Sequence, residues 1–240
     1  PFDDINVRKA MQMSINRPDI AKNYYGGTSD GKPCGWINPD NVGWCIPYNE
    51  WPAELQAEYS YNPERAKKLL VDAGYPDGFK FTLLADNQAD VGVIEILKSC
   101  LSDINITMDI NIQDAATAQA LQASWKYEAL WTRSTGSTAQ PSTMARMDYS
   151  TAAQNFCQVK DPEHDAMCDK LAASTDINEV KQLSRELDMN VIKNHWGLRL
   201  FPISIYSIWY PDIKGYSGEN MLRMGSPGGW PWARYWLTSK

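Results

Sequence analysis

The sequence predicts an α/β domain, or a mixed α+β one, in which a mixed sheet is flanked by helices. The first indication is that segments with helical spacing of apolar residues alternate with short runs of strand character. The second is a globular composition, with 43% hydrophobic and 22% charged residues. The third is the length of 240 residues, which fits one large domain or two small ones.

Two short helices are predicted at the start of the chain. Apolar residues recur at helical spacing over residues 4–15. A second helix begins at Arg17, with Pro18 in its first turn, and ends at Gly26-Gly27. Residues 28–60 then contain four prolines and three tryptophans, which predicts a long irregular loop. Loops of this length are usually functional or cross-linked.

The middle of the chain alternates helices and strands. Asn62 and Gly74 are the cap residues of one helix, and the alternation of Ile106, Met108 and Ile110 with polar residues indicates a half-buried strand. The predicted helices cover residues 62–74, 90–103 and 114–125, and the predicted strands cover residues 79–84, 106–112 and 127–132.

The last third of the chain is predicted to be less regular. Residues 133–155 are polar and irregular, and helices are predicted over residues 163–173 and 176–194. Residues 197–209 have strand character interrupted by Pro202, and the tail from Tyr210 shows little periodicity. We find neither an internal repeat nor a low-complexity tract in the sequence.

Charge and hydropathy exclude several functions. The 23 basic residues against 29 acidic ones give a net charge of −6, which makes nucleic acid a poor partner. The sequence has no apolar run near the roughly 20 residues that span a bilayer. The chain opens without the pattern of a signal peptide, so we expect a mature protein, a cytosolic protein or a fragment.

Five cysteines raise the question of disulfides. Cys34 and Cys45 bracket part of the long loop, and Cys157 and Cys168 bracket another short segment. Two local disulfides, Cys34–Cys45 and Cys157–Cys168, with Cys100 unpaired, would suit an oxidising compartment. The alternative is five reduced thiols, since sequence does not fix the pairing.

Catalytic chemistry finds little support in the sequence. Only two histidines exist, His164 and His195, and the small polar stretch Ser134–Thr138 matches no nucleophile or phosphate motif. Cys157, His164 and Cys168 could be metal ligands, but their spacing matches no zinc signature. We therefore expect no catalytic residue, no metal and no cofactor. The alternatives are a secreted hydrolase domain or, from the ten tryptophans, a carbohydrate-binding module.

Several segments together resemble the family 5 extracellular solute-binding proteins, which are components of ABC importers for peptides, nickel and similar solutes. Residues 1–10, PFDDINVRKA, resemble the family's first helix, and residues 61–79, YNPERAKKLLVDAGYPDGF, match one of its segments almost residue for residue. Residues 116–131 resemble its helix followed by a strand ending in Trp, and residues 200–203 resemble the strand where the chain crosses between lobes. The resemblance covers essentially the whole chain.

The resemblance implies a non-catalytic lobe of a two-lobe, periplasmic-binding-protein-like fold. Family members are about twice as long as this chain, so residues 1–205 are expected to form the C-terminal ligand-binding lobe. Residues 206–240 are expected to recross and pack on a missing N-terminal lobe. The implied partners are a small-molecule or peptide ligand and an ABC permease. The implied location is periplasmic or extracytoplasmic, with a possible lipoprotein anchor on the full-length protein.

The resemblance also indicates where a ligand binds. In peptide-binding members, an acidic residue after the strand ending in Trp holds the peptide amino group. Here Trp131 is followed by Thr132 and Arg133, and no acid occurs before Asp148. Arg133 therefore favours a carboxylate-bearing group over a free amine. The predicted ligand-binding residues are Trp131, Arg133, Ser134 and Thr135, with Trp36, Trp44 and Asn38 from the long loop at the rim of the cleft.

Overall fold

The computed structural model describes residues 1–131, 142, 145–153, 155–203, 213–215 and 236–237. Within this part of the chain, a parallel sheet is flanked by helices, which confirms the predicted α/β class. The α-helices are α1 Ile5–Met13, α2 Arg17–Asn23, α3 Ala53–Tyr59, α4 Pro63–Asp72, α5 Val91–Ser102, α6 Ala115–Ala123, α7 Pro162–Ala173 and α8 Ile177–Lys193.

The main sheet contains three parallel strands in the order β2-β1-β3. They are β1 Phe79–Asp86, β2 Ile106–Gln113 and β3 Ala129–Leu130. In β2, Ile106 and Met108 are buried while Thr107 and Asp109 are exposed, as the alternation in the sequence predicts. In the central strand β1, Leu83, Leu84 and Ala85 are all buried, because helices cover both faces of a parallel sheet.

Side-chain caps explain why the helices begin where they do. Asp4, Asn62 and Asp90 each accept a hydrogen bond from a backbone N–H in the first turn of the helix that follows. Pro63 occupies the first position of α4, where its missing N–H is not needed. These local signals are readable in the sequence, and the predicted helix boundaries agree with them.

Three groups of buried side chains hold the fold together. The main core joins α1, α2, α4 and α5 to the sheet. A second core packs α7 and α8 against the loop around Ile37 and Cys45, and a third packs Trp51 and α3 against the end of α8. The residues that follow the first β-α-β unit therefore fold back onto the N-terminal loop, which the sequence did not predict.

Two predicted elements differ in the structure. The loop 28–60 contains a 3₁₀ turn at Tyr48–Glu50 and helix α3, whose buried residues Leu55 and Tyr59 supply only one helical repeat. Residues 197–203, predicted as a strand, form none. Carbonyl groups of this segment accept hydrogen bonds from side chains on α1 and α2 instead of from a neighbouring strand. Residues 204–209 lie outside the described residues.

The predicted disulfides are not present in the structure, in which all five cysteines are free. In each expected cysteine pair, one residue is buried in the second core and the other lines a cleft. Cys45 and Cys168 are buried together in the second core, whereas Cys34 and Cys157 line a cleft.

Beyond the main sheet, β4 Ile213–Lys214 pairs antiparallel with β5 Trp236–Leu237. The predicted boundary between residues 205 and 206 lies outside the described residues. Among the described helices, none combines the length and apolar character that a membrane span requires.

Candidate functional site

A large open cleft runs along the carboxyl end of the main sheet. Its volume is about 1410 Å³. Its walls include Gln88, which follows β1, and Trp131, which follows β3, together with residues of the loop 34–41 and of the segment 194–203. Ligands of open α/β sheets bind outside the carboxyl ends of the strands, so the cleft lies where this architecture places a binding site.

Trp131 is held in place directly after the carboxyl end of strand β3. Its backbone N–H donates to the Leu84 carbonyl at 2.8 Å, which continues the pairing of β3 with β1. The ring is half-buried, packs against the main core and lines the cleft. Its indole Nε1 is buried and has no hydrogen-bond partner among the described residues. A buried indole N–H without a partner is unusual and suits an acceptor on a ligand.

Trp36 forms the opposite wall together with Arg199. The indole Nε1 of Trp36 donates to Asp148 Oδ2 at 2.5 Å. The Arg199 guanidinium lies over the Trp36 ring, 3.9 Å from its centroid. Asp148 Oδ2 is 4.0 Å from Arg199 Nη2. The three side chains therefore form one polar group, in which Trp36 and Arg199 line the cleft and Asp148 is buried behind them.

A second buried acid holds the loop that carries Trp36. Asp188, on α8, accepts the backbone N–H of Ile37 at 3.0 Å. Gly35 faces the Asp188 carboxylate so closely that an added Cβ would overlap it. The loop can therefore reach α8 only with glycine at this position, and this approach places Trp36 on the cleft.

Burial changes the proton affinity of both acids. It raises the pKa of Asp148, against the opposing effects of Arg199 and of the hydrogen bond from Trp36. It raises the pKa of Asp188 to about 6, against the hydrogen bond from Ile37 and the charge of Arg199. Two carboxyl groups thus share one nearby cation, and near neutral pH the charged form of Asp188 is only modestly favoured.

Asp188→Asn is expected to remove a pH dependence of stability. Because the pKa of Asp188 is above its ordinary value of 3.8, its contribution to stability is present below pH 4 and is lost as pH rises through 6. The free energy of unfolding of the variant should therefore rise relative to the native chain between pH 4 and pH 7, by about 3 kcal/mol at most. Urea denaturation at several pH values measures this difference.

Asp114→Asn is the control for that series, since Asp114 is an exposed helix cap. Hydrogen bonds from Thr117 lower its pKa, so its contribution is lost as pH falls. The two variants should differ from the native chain with opposite slopes. A flat difference for Asp188→Asn would show that its carboxyl group titrates normally.

Three side chains tie the segment 194–199 to the first two helices. Arg8 Nε donates to the Asn194 carbonyl at 2.9 Å, and Gln12 Nε2 donates to the Gly197 carbonyl at 3.0 Å. Arg17 Nε donates to the Arg199 carbonyl at 2.9 Å. Arg8 and Gln12 are four residues apart and share one face of α1, so a single face holds the backbone of the cleft wall.

The predicted site residues divide into two groups. Trp36, Asn38 and Trp131 all line the cleft, although Trp131 is more than ninety residues from the other two in sequence. The side chain of Asn38 is used locally, because its Oδ1 accepts the Asp40 N–H at 2.9 Å. Arg133, Ser134 and Thr135 lie outside the described residues.

Three further residues at the site were not predicted from the sequence. Arg199 lines the cleft, while Asp148 and Asp188 lie behind it. Asp188 gave one usable signal, since it follows Leu187 on the apolar face of α8. Arg199 and Asp148 lie in irregular segments, where no periodicity distinguishes a buried charge from an exposed one.

The two histidines serve packing rather than a catalytic arrangement. His164 Nδ1 lies 3.1 Å from Asn190 Nδ2, and His195 Nε2 lies 2.9 Å from Glu58 Oε2. Burial lowers the pKa of His195 to about 4, against its hydrogen bond to Glu58, so this ring is neutral at pH 7. Within the described residues, His, Cys, Asp and Glu form no group of three placed to hold a metal.

The fold and the cleft define a class of structure: an α/β domain with an open cleft whose wall includes two tryptophans. The family model of the bacterial extracellular solute-binding proteins, family 5 (middle), matches residues 1–156. The chain belongs to this family, and the resemblance noted in the sequence is confirmed.

Individual proteins agree with this assignment. The glutathione-binding protein GsiB of Escherichia coli K12 is 30% identical over 122 residues, which are 50% of this chain and 22% of GsiB. The periplasmic binding protein DppA of Helicobacter pylori, solved with the peptide STSA, superposes with a TM-score of 0.69 at 22% identity over 90% of this chain. NikA of Staphylococcus aureus, solved with Ni(L-His)₂, has a TM-score of 0.67 at 20% identity over 82% of this chain.

The chain spans less than half the length of the proteins that it matches. The superposition covers 41% of the DppA chain and 41% of the NikA chain. The family matched over residues 1–156 is one of solute-binding proteins, which agrees with the prediction of a binding protein rather than an enzyme.

Proposed function

We propose that this chain is the C-terminal ligand-binding lobe of the substrate-binding component of an ABC importer. It captures a small solute, peptide-like or similar, for delivery to a membrane permease. Residues 1–205 would form the lobe, and residues 206–240 would pack on an N-terminal lobe. The full-length protein would work outside the cytoplasmic membrane, either free in the periplasm or held by a lipoprotein anchor.

The observation that carries this proposal is the cleft itself. Its volume of about 1410 Å³ exceeds the few hundred Å³ that a drug-sized molecule needs. Trp36 and Trp131 line it, and no residue in the described ranges accepts a hydrogen bond from the indole N–H of Trp131. An apolar, aromatic wall with a few unpaired polar groups is typical of small-molecule sites.

The mechanism that follows is conformational rather than chemical. Binding proteins with two lobes close by hinge motion around a ligand, and the closed shape is the one recognised by a partner. The present lobe supplies one wall, held rigid by the sheet and by the side chains of α1. A second lobe would supply the remaining contacts, so the single lobe should bind its ligand weakly.

The ligands of the relatives suggest the first compounds to test. Glutathione, a short peptide and a histidine complex of nickel are the molecules in the names of the three proteins compared above. Arg133, if it lies at the cleft with Ser134 and Thr135 as the resemblance implies, would favour a carboxylate group on such a solute.

Ligand-observed NMR on the 240-residue chain tests the proposal. We expect saturation transfer to glutathione or to the peptide Ser-Thr-Ser-Ala, with a dissociation constant between about 10 μM and 1 mM. Trp131→Ala should weaken binding about tenfold, because the ring and its N–H are both lost. Trp131→Phe should weaken it less, since the ring remains.

Trp44→Phe is the matched control. Trp44 was also expected at the rim of the cleft, but it packs against the second core and is not part of the cleft lining. Equal affinity of the Trp44 and Trp131 variants would remove Trp131 from the site. Absence of binding to glutathione, the peptide and nickel with histidine alike, with no small molecule in a native mass spectrum of the purified chain, would contradict solute capture by this lobe.

A further inference from the structure

The wall formed by Arg199 and Trp36 has features of an anion-binding site. The guanidinium lies over the indole ring at 3.9 Å from the centroid, and the residue lines the cleft. An arginine stacked on an aromatic ring is held in one orientation while its N–H groups remain available in the plane of the fork. Such an arrangement is preorganised for a planar acid group.

The backbone of Arg199 is held from behind. Arg17 is buried and donates to the carbonyls of Arg199, Tyr59 and Gln12, the first at 2.9 Å and the other two at 3.0 Å. Its own charge lies 5.5 Å from the centre of the Tyr59 ring. Because Arg17 meets carbonyl groups rather than a carboxylate, its role is to fix the segment that carries Arg199.

The guanidinium of Arg199 is not saturated by the protein. Its Nη2 donates to the Trp196 carbonyl at a long 3.2 Å, and within the described part of the chain its Nε has no hydrogen-bond partner. The ion pair with Asp148 is 4.0 Å long, which is beyond hydrogen-bond distance. An arginine in this position retains capacity for a further acceptor.

Each of the two acids behind the wall accepts a hydrogen bond from the loop that carries Trp36, while Asp148 Oδ1 has no partner among the described residues. Asp148 Oδ2 accepts the Trp36 indole N–H at 2.5 Å, and Asp188 accepts the Ile37 backbone N–H at 3.0 Å. Both contacts position the loop that carries Trp36. Burial also raises the pKa of each acid, against the opposing charge of Arg199.

We propose that Arg199, stacked on Trp36, is the residue that receives a carboxylate of the captured solute. This inference rests on the proposed function, because it assigns the ligand's charge and one point of attachment within the same cleft. It also differs from the sequence expectation, which placed this role on Arg133.

The test compares each ligand with its neutral form. The probes are Ser-Thr-Ser-Ala and its C-terminal amide, and glutathione and its diethyl ester, titrated by NMR into the 240-residue chain. We expect the native chain to prefer the carboxylate forms by about 10- to 100-fold, as for a charge-assisted hydrogen bond. Arg199→Met should abolish that preference, while Arg65→Met, an identical change on the exposed face of α4, should keep it.

Two further variants make the result specific. Arg199→Lys keeps the charge without the planar fork, so it should lose most of the preference even if Arg199→Met does not fold. Circular dichroism and a thermal melt establish folding for each variant. Arg133→Met should leave the preference unchanged if Arg199 is the receptor.

The outcomes separate this inference from the proposed function. Preference for carboxylate that disappears with Arg199 supports the inference. A preference that survives in both Arg199 variants, that follows Arg133, or that is absent from the native chain overturns it, while solute capture stands. A native chain that binds neither form of either probe overturns the inference and counts against solute capture as well.

Discussion

Replacement of Arg17 by methionine is expected to lower the free energy of unfolding by about 3 kcal/mol. Arg17 is 1% exposed and donates hydrogen bonds to carbonyls from three separate parts of the chain. Methionine fills a similar volume but leaves those buried carbonyls without a donor, and each such loss costs about 1 kcal/mol or more. Burial lowers the pKa of Arg17 to about 10, which shows that its charge is already held against a desolvation penalty.

Urea denaturation with a circular dichroism readout measures the loss. Arg65→Met is the control, and since Arg65 is exposed it should change stability by less than about 0.5 kcal/mol. Arg17→Met should also weaken binding of carboxylate ligands, because the Arg199 segment loses its tether. Native-like stability in Arg17→Met would mean that the three carbonyls find other donors and that Arg17 does not fix the wall.

Gly35→Ala is expected to destabilise the chain by about 3 kcal/mol and to weaken ligand binding as well. An added Cβ would overlap all three atoms of the Asp188 carboxylate group, so rotation of the group about its last bond gives no relief. Either Asp188 changes rotamer and loses the N–H of Ile37, or the loop moves and carries Trp36 away from the cleft. Both responses disturb the same wall.

Gly43→Ala is the matched control in the same loop. Its added Cβ meets no atom within 4 Å, but its φ of 84° lies in the left-handed region, so a loss of about 1 kcal/mol is expected from backbone strain alone. Thermal melts and NMR titrations of both variants give the comparison. Equal losses in the two variants would indicate that contact with Asp188 is not the reason for glycine at position 35.

Both predictions concern residues, Arg17 and Gly35, whose structural role the sequence predicts only in part. Arg17 is recognisable as the start of α2, yet its position after a cap residue suggests a surface charge, and the structure buries it. Gly35 looks like one of several glycines in a loop. Its significance depends on α8, which begins more than a hundred residues later.

The candidate site shows the same division. Trp131 and Trp36 were predicted at the cleft, the first from the strand that precedes it and the second from its place in a long aromatic loop, and both line it. Arg199 was missed, since the segment 197–203 was interpreted as a strand. The carbonyl groups of Gly197 and Arg199 in this segment accept hydrogen bonds from side chains of α1 and α2. A pattern of apolar residues cannot reveal such contacts.

By itself the sequence determined what depends on neighbours along the chain. Caps, prolines and the spacing of apolar residues defined the helices and the strands β1 and β2, because these signals act within about one helical turn or along a single strand. The segment at residues 61–79 was specific enough to indicate the family. The acidic balance and the scarcity of histidine directed the prediction away from nucleic acid and catalysis.

Only the tertiary structure decided which distant residues share one wall of the cleft. It left all five cysteines free, placed Asp148 and Asp188 behind Trp36, and placed the Arg199 guanidinium over the Trp36 ring. The physical reason is that burial and charge pairing are properties of a position in space. A charged side chain has the same sequence signature whether it faces water or a second, buried charge, and only the folded chain distinguishes the two.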